Sequence, residues 1–74
     1  MNERIQVNPE IHFGKPCVVG TRITVQNILE LINDGITYDE IRRDYYPALE
    51  NRDIKACMEY AIALISAEDI NVAA

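Results

Sequence analysis

The amino-acid sequence predicts a mainly α-helical domain in which three helices follow a short N-terminal β-hairpin or ribbon. Apolar residues recur at helical spacing in three segments between residues 24 and 66, whereas residues 1–23 alternate polar and apolar side chains around turn-forming glycine and proline. A chain of 74 residues has room for one compact domain. We therefore assign residues 1–74 to a single domain and expect residues 67–74 to form a flexible tail.

The strand region contains two short segments of strand-forming sequence. Arg4–Asn8 alternates polar and apolar side chains and ends at Pro9, which cannot donate a hydrogen bond to a sheet. The second segment, Cys17–Ile23, follows the turn-forming sequence Phe13–Pro16 and contains Gly20, which allows a bend or bulge. These two segments are expected to pair with each other.

Arg22 lies between Thr21 and Ile23, at the junction between the strand region and the first helix. A guanidinium at such a junction can donate charge-assisted hydrogen bonds to backbone carbonyls or to a carboxylate. We therefore predict a structural role for Arg22.

The first helix is expected to begin after Thr24, whose hydroxyl can accept a hydrogen bond from the backbone as an N-cap. Its apolar face repeats at positions i, i+3, i+4 and i+7, namely Val25, Ile28, Leu29 and Ile32. Gly35 is expected to stop this helix, because glycine readily adopts the left-handed conformation found at helix C-termini.

The second helix is predicted to begin at a capping box directly after Gly35. The Thr37 hydroxyl can accept a hydrogen bond from the amide of Glu40, whose carboxylate can accept one from the amide of Thr37. Thr37 and Glu40 are therefore predicted to be structural residues. The expected inward face consists of Tyr38, Ile41 and Tyr45. Pro47 is expected to end the helix.

The third helix is expected to begin near Glu50 or Asn51 and is apolar on more than one face. Its helically spaced apolar residues are Ile54, Cys57, Met58, Ala61, Ile62 and Ile65, and Ala56, Ala63 and Leu64 are apolar as well. One packed face cannot use all of them, and so small a chain gains from self-association. We therefore expect a homo-oligomer, most simply a dimer, with Ile62 and Leu64 at its interface.

The net charge and the cysteines indicate which partners and which cellular compartment the chain favours. A formal net charge of -5 at pH 7 repels nucleic acid and anionic membranes overall. Cys17 and Cys57 lie among apolar neighbours, which favours buried thiols, with a disulfide as the alternative. Neither a secretory signal nor an apolar run of about 20 residues, the length of a membrane span, is evident. We expect a cytoplasmic protein.

The residue types needed for catalysis are not combined in a usable way. The single histidine, His12, is far in sequence from Cys57 and Ser66, and a pair with nearby Cys17 would lack a third, orienting group. Zinc needs about four closely spaced ligands, which one histidine and two distant cysteines do not supply. The glycines do not have the spacing of a phosphate-binding loop. The sequence therefore predicts no catalytic residue, metal or cofactor, and no enzymatic activity by the chain itself.

The order of the helices is typical of helix-turn-helix DNA-binding domains, in which the first turns of the third helix read base edges. Candidate contacts to nucleic acid or to another partner are Arg42, Arg43, Asn51, Arg52 and Lys55. Asp53 and Glu59 would oppose phosphates if they were exposed beside them. The alternative is that the second and third helices only pack against each other, and that the basic residues form a solvated face. These residues are Arg42, Arg43, Arg52 and Lys55.

Several motifs together resemble one family. They are Gly14–Val25, Ile28–Leu31, Gly35–Thr37, Glu40–Ile41, Asp44–Tyr45, Pro47–Leu49 and Asp53–Ile54. From about Ile5 to Ala63 this pattern resembles the bacterial and archaeal family catalogued as domain of unknown function 433. Val19 stands where the family usually has arginine, and Phe13 where it often has a second glycine.

The resemblance implies a homeodomain-like helical fold and an antitoxin-like role as the partner of a PIN-like ribonuclease. A nuclease site of clustered carboxylates holding magnesium could be blocked by an inserted basic side chain, for which Arg42, Arg43 and Arg52 are candidates, or covered by the tail from Ala67 onward. The second hypothesis is a DNA-binding regulator, and the two can coexist because an antitoxin often binds its own operator DNA.

Overall fold

The computed structural model describes residues 2–69. Its elements in chain order are β1 (Ile5–Gln6), a 3-10 turn (His12–Gly14), β2 (Cys17–Val18), α1 (Val25–Asn33), α2 (Tyr38–Glu40), a π-helical segment (Ile41–Tyr45) and α3 (Asn51–Asp69). Because the π-helical segment continues α2 directly, the two form the second of three helices. The mainly helical fold class with an N-terminal antiparallel pair of strands is confirmed.

The two strands are shorter than the sequence predicts. β1 pairs antiparallel with β2, with Ile5 opposite Val18 and Gln6 opposite Cys17. β2 ends early because Gly20, with φ 80°, turns the chain back. The amide of Val18 then donates to the carbonyl of Ile23 at 2.9 Å. Cys17 also forms a bridge with Thr24, so β2 has the start of α1 on its other side.

The limits of α1 follow the sequence signals. The Thr24 hydroxyl accepts a hydrogen bond from the amide of Asn27 at 3.0 Å, which confirms the predicted N-cap. At the other end, Gly35 has φ 86°, and the amide of Ile36 donates a hydrogen bond to the carbonyl of Leu31 at 3.0 Å. The predicted inward residues are buried or packed against the core.

The capping box at the start of α2 is present as predicted. The Glu40 amide donates to the Thr37 hydroxyl at 3.1 Å, and the Thr37 amide donates to the Glu40 carboxylate at 3.0 Å. The hydrogen bond from the Thr37 amide, helped by the Thr37 side chain, lowers the pKa of Glu40. The stabilisation from this bond is therefore present above the unfolded-state pKa of Glu40 and is lost as the pH falls through its folded-state pKa.

Thr37→Ala is expected to lower the free energy of unfolding by about 1 kcal/mol, because it removes the acceptor for the Glu40 amide. Thr37→Ser keeps that acceptor and is the matched control. Urea denaturation followed by circular dichroism measures both variants. Equal urea midpoints for the two would show that the cap contributes nothing.

The prediction that Tyr45 faces inward is wrong. After one α-helical turn the helix widens, and the amide of Tyr46 donates to the carbonyl of Ile41 at 2.7 Å, five residues back. The wider turn holds one more residue than an α-helical turn, and this shifts the positions that follow Ile41. Ile41 remains fully buried, Tyr45 is exposed, and Tyr46 packs against the core in its place.

α3 begins at Asn51, as predicted, and continues to Asp69, beyond the expected end at residue 66. Neither glycine nor proline occurs between Ser66 and Asp69 to stop it. The expected tail is therefore helical over its first three residues, 67–69. The rest of that tail, residues 70–74, lies outside the described residues.

The core lies between the strands, α1 and the first half of α3. Its buried residues are Val18, Val25, Ile28, Ile41, Leu49, Ile54 and Cys57. Beyond Cys57 no residue of α3 up to Ala67 is buried. Leu64 lies two turns after Cys57 on the same side of the helix, yet it is 42% exposed. The last described turns of α3 therefore project beyond the body of the domain.

Candidate binding surface at the start of α3

The Asp53 carboxylate anchors the N-terminal segment to the first turn of α3. Its Oδ2 accepts a hydrogen bond from the amide of Glu50 at 2.8 Å, and its Oδ1 accepts one from Arg4 Nη1 at 2.7 Å. The Asp53 side chain is only 10% exposed and that of Arg4 is 34% exposed. Asn2 adds a second link, because its side-chain amide donates to Glu59 Oε1 at 3.2 Å. The segment from Asn2 to Arg4 is thus held along α3.

An open, polar groove of about 400 Å³ lies between this segment and α3. It is lined by Asn2, Glu3, Arg4, Arg52, Lys55, Ala56 and Glu59. A smaller groove of about 280 Å³ adjoins it and shares Glu3 and Arg4. The larger groove is lined by both cations and carboxylates, so it suits a macromolecular surface of mixed charge better than a single small anion.

The structure brings together two of the five predicted contact residues. Arg52 and Lys55 both line the larger groove and are exposed. Asn51 is exposed on the same turn of α3 but does not line the groove. Arg52 is paired with Glu50 through Nε and Oε1 at 3.1 Å, whereas Lys55 forms no ion pair within residues 2–69.

Arg42 and Arg43 lie on the π-helical segment, outside the groove. Arg42 donates to Asp39, and its Nε is buried and has no hydrogen-bond partner within the described chain. Arg43 donates to Asp44 at 3.0 Å, and this contact raises the pKa of Arg43 and lowers that of Asp44. Both arginines are thus held by acidic neighbours on their own helix.

Comparison with known proteins identifies the family. The model of the family described as "Protein of unknown function (DUF433)" matches residues 5–61. The chain belongs to the DUF433 family. The resemblance predicted from the sequence motifs is therefore confirmed. Among functionally curated proteins, no match was found.

A solved structure shares the fold of this DUF433 member. It is a DUF433 member protein from Anabaena variabilis ATCC 29413, with a TM-score of 0.77 and 25% sequence identity. The match covers 96% of this chain and 69% of that one. Within residues 2–69 of the present chain, none of the helices combines the length and apolarity needed to cross a bilayer.

The bond predicted for Arg22 is not present in this DUF433 member. Arg22 is exposed and makes no hydrogen bond or ion pair with any residue from 2 to 69. Its position between the Gly20 turn and the Thr24 cap leaves the side chain in solvent. The ionic link between the strand region and the helices is instead made by Arg4 and Asp53.

Arg4 is not among the site residues that the sequence predicts, and the sequence indicates Asp53 only as a charge that would oppose phosphates if it were exposed. The spacing of Glu50 and Asp53 resembles half of a capping box and could have indicated a buried carboxylate. Arg4 gives no such signal, because it lies 49 residues from its partner. Of the two carboxylates expected to oppose phosphates, only Glu59 is exposed.

Both cysteines are free and buried, as the sequence predicted. The Cys17 thiol donates to the carbonyl of Lys15 at 3.3 Å, so it is not paired with the exposed His12. Burial, together with the nearby Asp53 charge, raises the pKa of Cys57 to about 12. In the described residues, 2–69, no three His, Cys, Asp or Glu side chains are grouped to hold a metal ion.

Proposed function

We propose that this DUF433 member is a non-enzymatic, antitoxin-like binding module whose partner is a PIN-like ribonuclease in the cytoplasm. The observation that carries the proposal is the groove at the start of α3, where exposed Arg52 and Lys55 lie beside Arg4. A ribonuclease of this class uses clustered carboxylates with magnesium, which an inserted cation can block. The fold is proposed to be homeodomain-like, with α3 as the helix that carries the contact residues.

The pairing of each cation favours Arg52 and Lys55 over Arg42 as the inserted group, and Arg43, which is paired and exposed much as Arg52 is, lies outside the groove. Arg52 is paired with an exposed glutamate, and exposed ion pairs contribute only about 0–1 kcal/mol, so exchanging that glutamate for a partner's carboxylate costs little. Arg42, in contrast, has a buried Nε and would have to leave its packing. The proposed contact is therefore the groove and not the π-helical segment.

The absence of enzymatic activity is also part of the proposal. A thiol whose pKa is about 12 stays protonated at neutral pH and is a poor nucleophile, and the Cys17 thiol is occupied with a backbone carbonyl. Apart from Ala56, the groove is lined by amide, carboxylate and basic side chains, with no Ser, Thr, Cys or His among its lining residues. This composition supports binding rather than nucleophilic catalysis.

Arg52→Glu combined with Lys55→Glu is expected to weaken the complex with the nuclease by at least about 100-fold, because two attractive contacts become repulsive. Pull-down of the co-expressed pair and an RNA-cleavage assay measure binding and inhibition. Arg43→Glu, an exposed charge reversal outside the groove, is the matched control and should bind as the parent does. An undiminished cleavage rate with the parent chain in excess would contradict the antitoxin role.

A DNA-binding regulator is the second candidate function, and one observation favours it. Asn51, Arg52 and Lys55 are exposed on the first turns of α3, while neighbouring Asp53 is buried and paired. Arg52→Ala and Lys55→Ala are each expected to reduce the salt dependence of binding by about one phosphate contact. Gel-shift titration against the chain's own promoter at two salt concentrations tests this. No shift at micromolar protein would rule it out.

A further inference from the structure

The charged side chains at the two adjoining grooves include both signs in nearly equal number. Those that line the larger groove are Glu3, Arg4, Arg52, Lys55 and Glu59, and the smaller groove adds Asp53. Glu50 also belongs to this surface, because it forms an ion pair with Arg52. Carboxylates thus slightly outnumber cations here, so a partner whose surface is uniformly anionic meets no net attraction.

Most of these charged groups already have a partner within the described chain. The contacts are Arg4 with Asp53 at 2.7 Å, Arg52 with Glu50 at 3.1 Å, and the Asn2 side-chain amide with Glu59 at 3.2 Å. Asp53 is largely buried, and removing the partner of a buried charge is costly. A molecule that binds in the grooves therefore gains little from competing for the pair of Arg4 and Asp53.

Lys55 and Glu3 are the exceptions, because neither forms an ion pair with any residue from 2 to 69. Both are exposed. Lys55 lines the larger groove, and Glu3 lines both grooves. A partner can place an opposite charge beside each of them without breaking an ion pair that the folded chain already makes. Because the two residues have opposite sign, they together favour one pattern of charge on the partner.

We propose that the two grooves bind a protein surface on which a carboxylate and a cation lie close together. The carboxylate faces Lys55, and the cation faces Glu3. A nucleic acid presents phosphates along its whole backbone and would place like charge against Glu3. A protein surface can supply both signs side by side, which the unpaired charges of the grooves require.

The identity of the protein partner rests on the proposed function. A ribonuclease site of the proposed class holds magnesium through carboxylates, and cations beside such a site bind the phosphates of the RNA. That site presents the required pattern, with its carboxylates towards Lys55 and its RNA-binding cations towards Glu3. A second contact of opposite sign then accompanies the inserted cation.

Glu3→Lys gives a test whose sign separates the two classes of partner. It is expected to weaken the complex with the co-expressed nuclease about tenfold, because a favourable contact becomes repulsive, although the chain becomes less acidic overall. Glu10→Lys changes the net charge equally at an exposed site outside both grooves and should bind as the parent does. Isothermal titration calorimetry measures both variants, and circular dichroism checks that they fold. A complex that Glu3→Lys leaves unchanged or strengthens would overturn the proposal.

Lys55→Glu is expected to weaken the same complex by a similar factor, with Lys15→Glu, an exposed reversal outside both grooves, as its matched control. For nucleic acid the two groove variants should act in opposite directions. If the parent binds its promoter DNA in a gel shift, and Glu3→Lys tightens that binding while Lys55→Glu abolishes it, the grooves are a nucleic-acid site and the proposal is wrong.

A titration with synthetic peptides tests the surface independently of the nuclease. Heteronuclear NMR follows the backbone amides of the parent chain while a peptide of alternating glutamate and lysine is added, with oligoglutamate and oligolysine of the same length as controls. The alternating peptide is expected to shift the amides of both Glu3 and Lys55, and each control to shift only one of them. No shift at either amide would overturn the proposal. If the peptide shifts both amides but the nuclease does not bind, the antitoxin role fails and the proposed charge pattern stands. If the nuclease binds and Glu3→Lys does not weaken the complex, only the charge pattern fails.

Discussion

Asp53→Ala is expected to lower the free energy of unfolding by about 2–3 kcal/mol. The substitution removes the acceptor for the Glu50 amide at the start of α3 and leaves the Arg4 guanidinium without its partner. The figure is smaller than for a fully buried ion pair, because Arg4 is about one-third exposed and water can solvate it in part. Urea denaturation followed by circular dichroism gives the value.

Two further variants separate the contributions of Asp53. Asp53→Asn retains a neutral acceptor for the Glu50 amide and should be less destabilising than Asp53→Ala. Arg4→Ala removes the ion pair alone, and the double-mutant cycle of Arg4→Ala with Asp53→Ala measures the coupling between the two side chains. A coupling energy near zero, together with an unchanged midpoint for Asp53→Ala, would show that this link does not hold the N-terminal segment to α3.

Cys57 in the folded chain is expected to react with iodoacetamide about a thousandfold more slowly at pH 8 than in the unfolded chain. Only the thiolate reacts, and raising the pKa from 9.0 to about 12 lowers the thiolate fraction at this pH by about that factor. The expected rate therefore increases as the pH rises towards 12. Mass spectrometry of proteolytic peptides follows Cys57 separately from Cys17.

Labelling in guanidinium chloride supplies the unfolded reference for this experiment, because there both thiols are solvated. The slow folded-state reaction should approach the reference rate when the chain unfolds. If Cys57 reacts equally fast with and without denaturant, its thiol is accessible and ionised in the folded chain. That result would contradict the placement of the Cys57 thiol in the core and would favour a nucleophilic role for this cysteine.

The parts of the fold that depend on near neighbours in sequence were predictable. The Thr24 cap and the Thr37–Glu40 capping box each involve residues three positions apart, and Gly35 ends α1 by its own backbone preference. Residue type and spacing decide such features, since both partners are present in the local sequence whatever the rest of the chain does. The family followed from motifs of the same kind, Gly-Lys-Pro and Gly-Thr-Arg-Ile, at their spacing.

Other features depend on which segments meet in space. The link between Arg4 and Asp53 joins residues 49 positions apart, so nothing in the sequence around Arg4 indicates the N-terminal wall of the groove. The π-helical turn that exposes Tyr45 and packs Tyr46 depends on how the second helix docks on the core. The apolar spacing of α3 is the same before and after Cys57, but the domain covers only the first part.

The sequence by itself thus determined the order of strands and helices, the caps and turns that bound α1 and begin α2, and the family, because local hydrogen bonds and backbone preferences decide them. Only the tertiary structure decided which charges are exposed. It buried Asp53 against Arg4, left Arg22 in solvent, and brought Arg52 and Lys55 to one groove. The physical reason is that burial and ion pairing depend on the full set of neighbours around a side chain, and distant segments of the chain supply most of those neighbours.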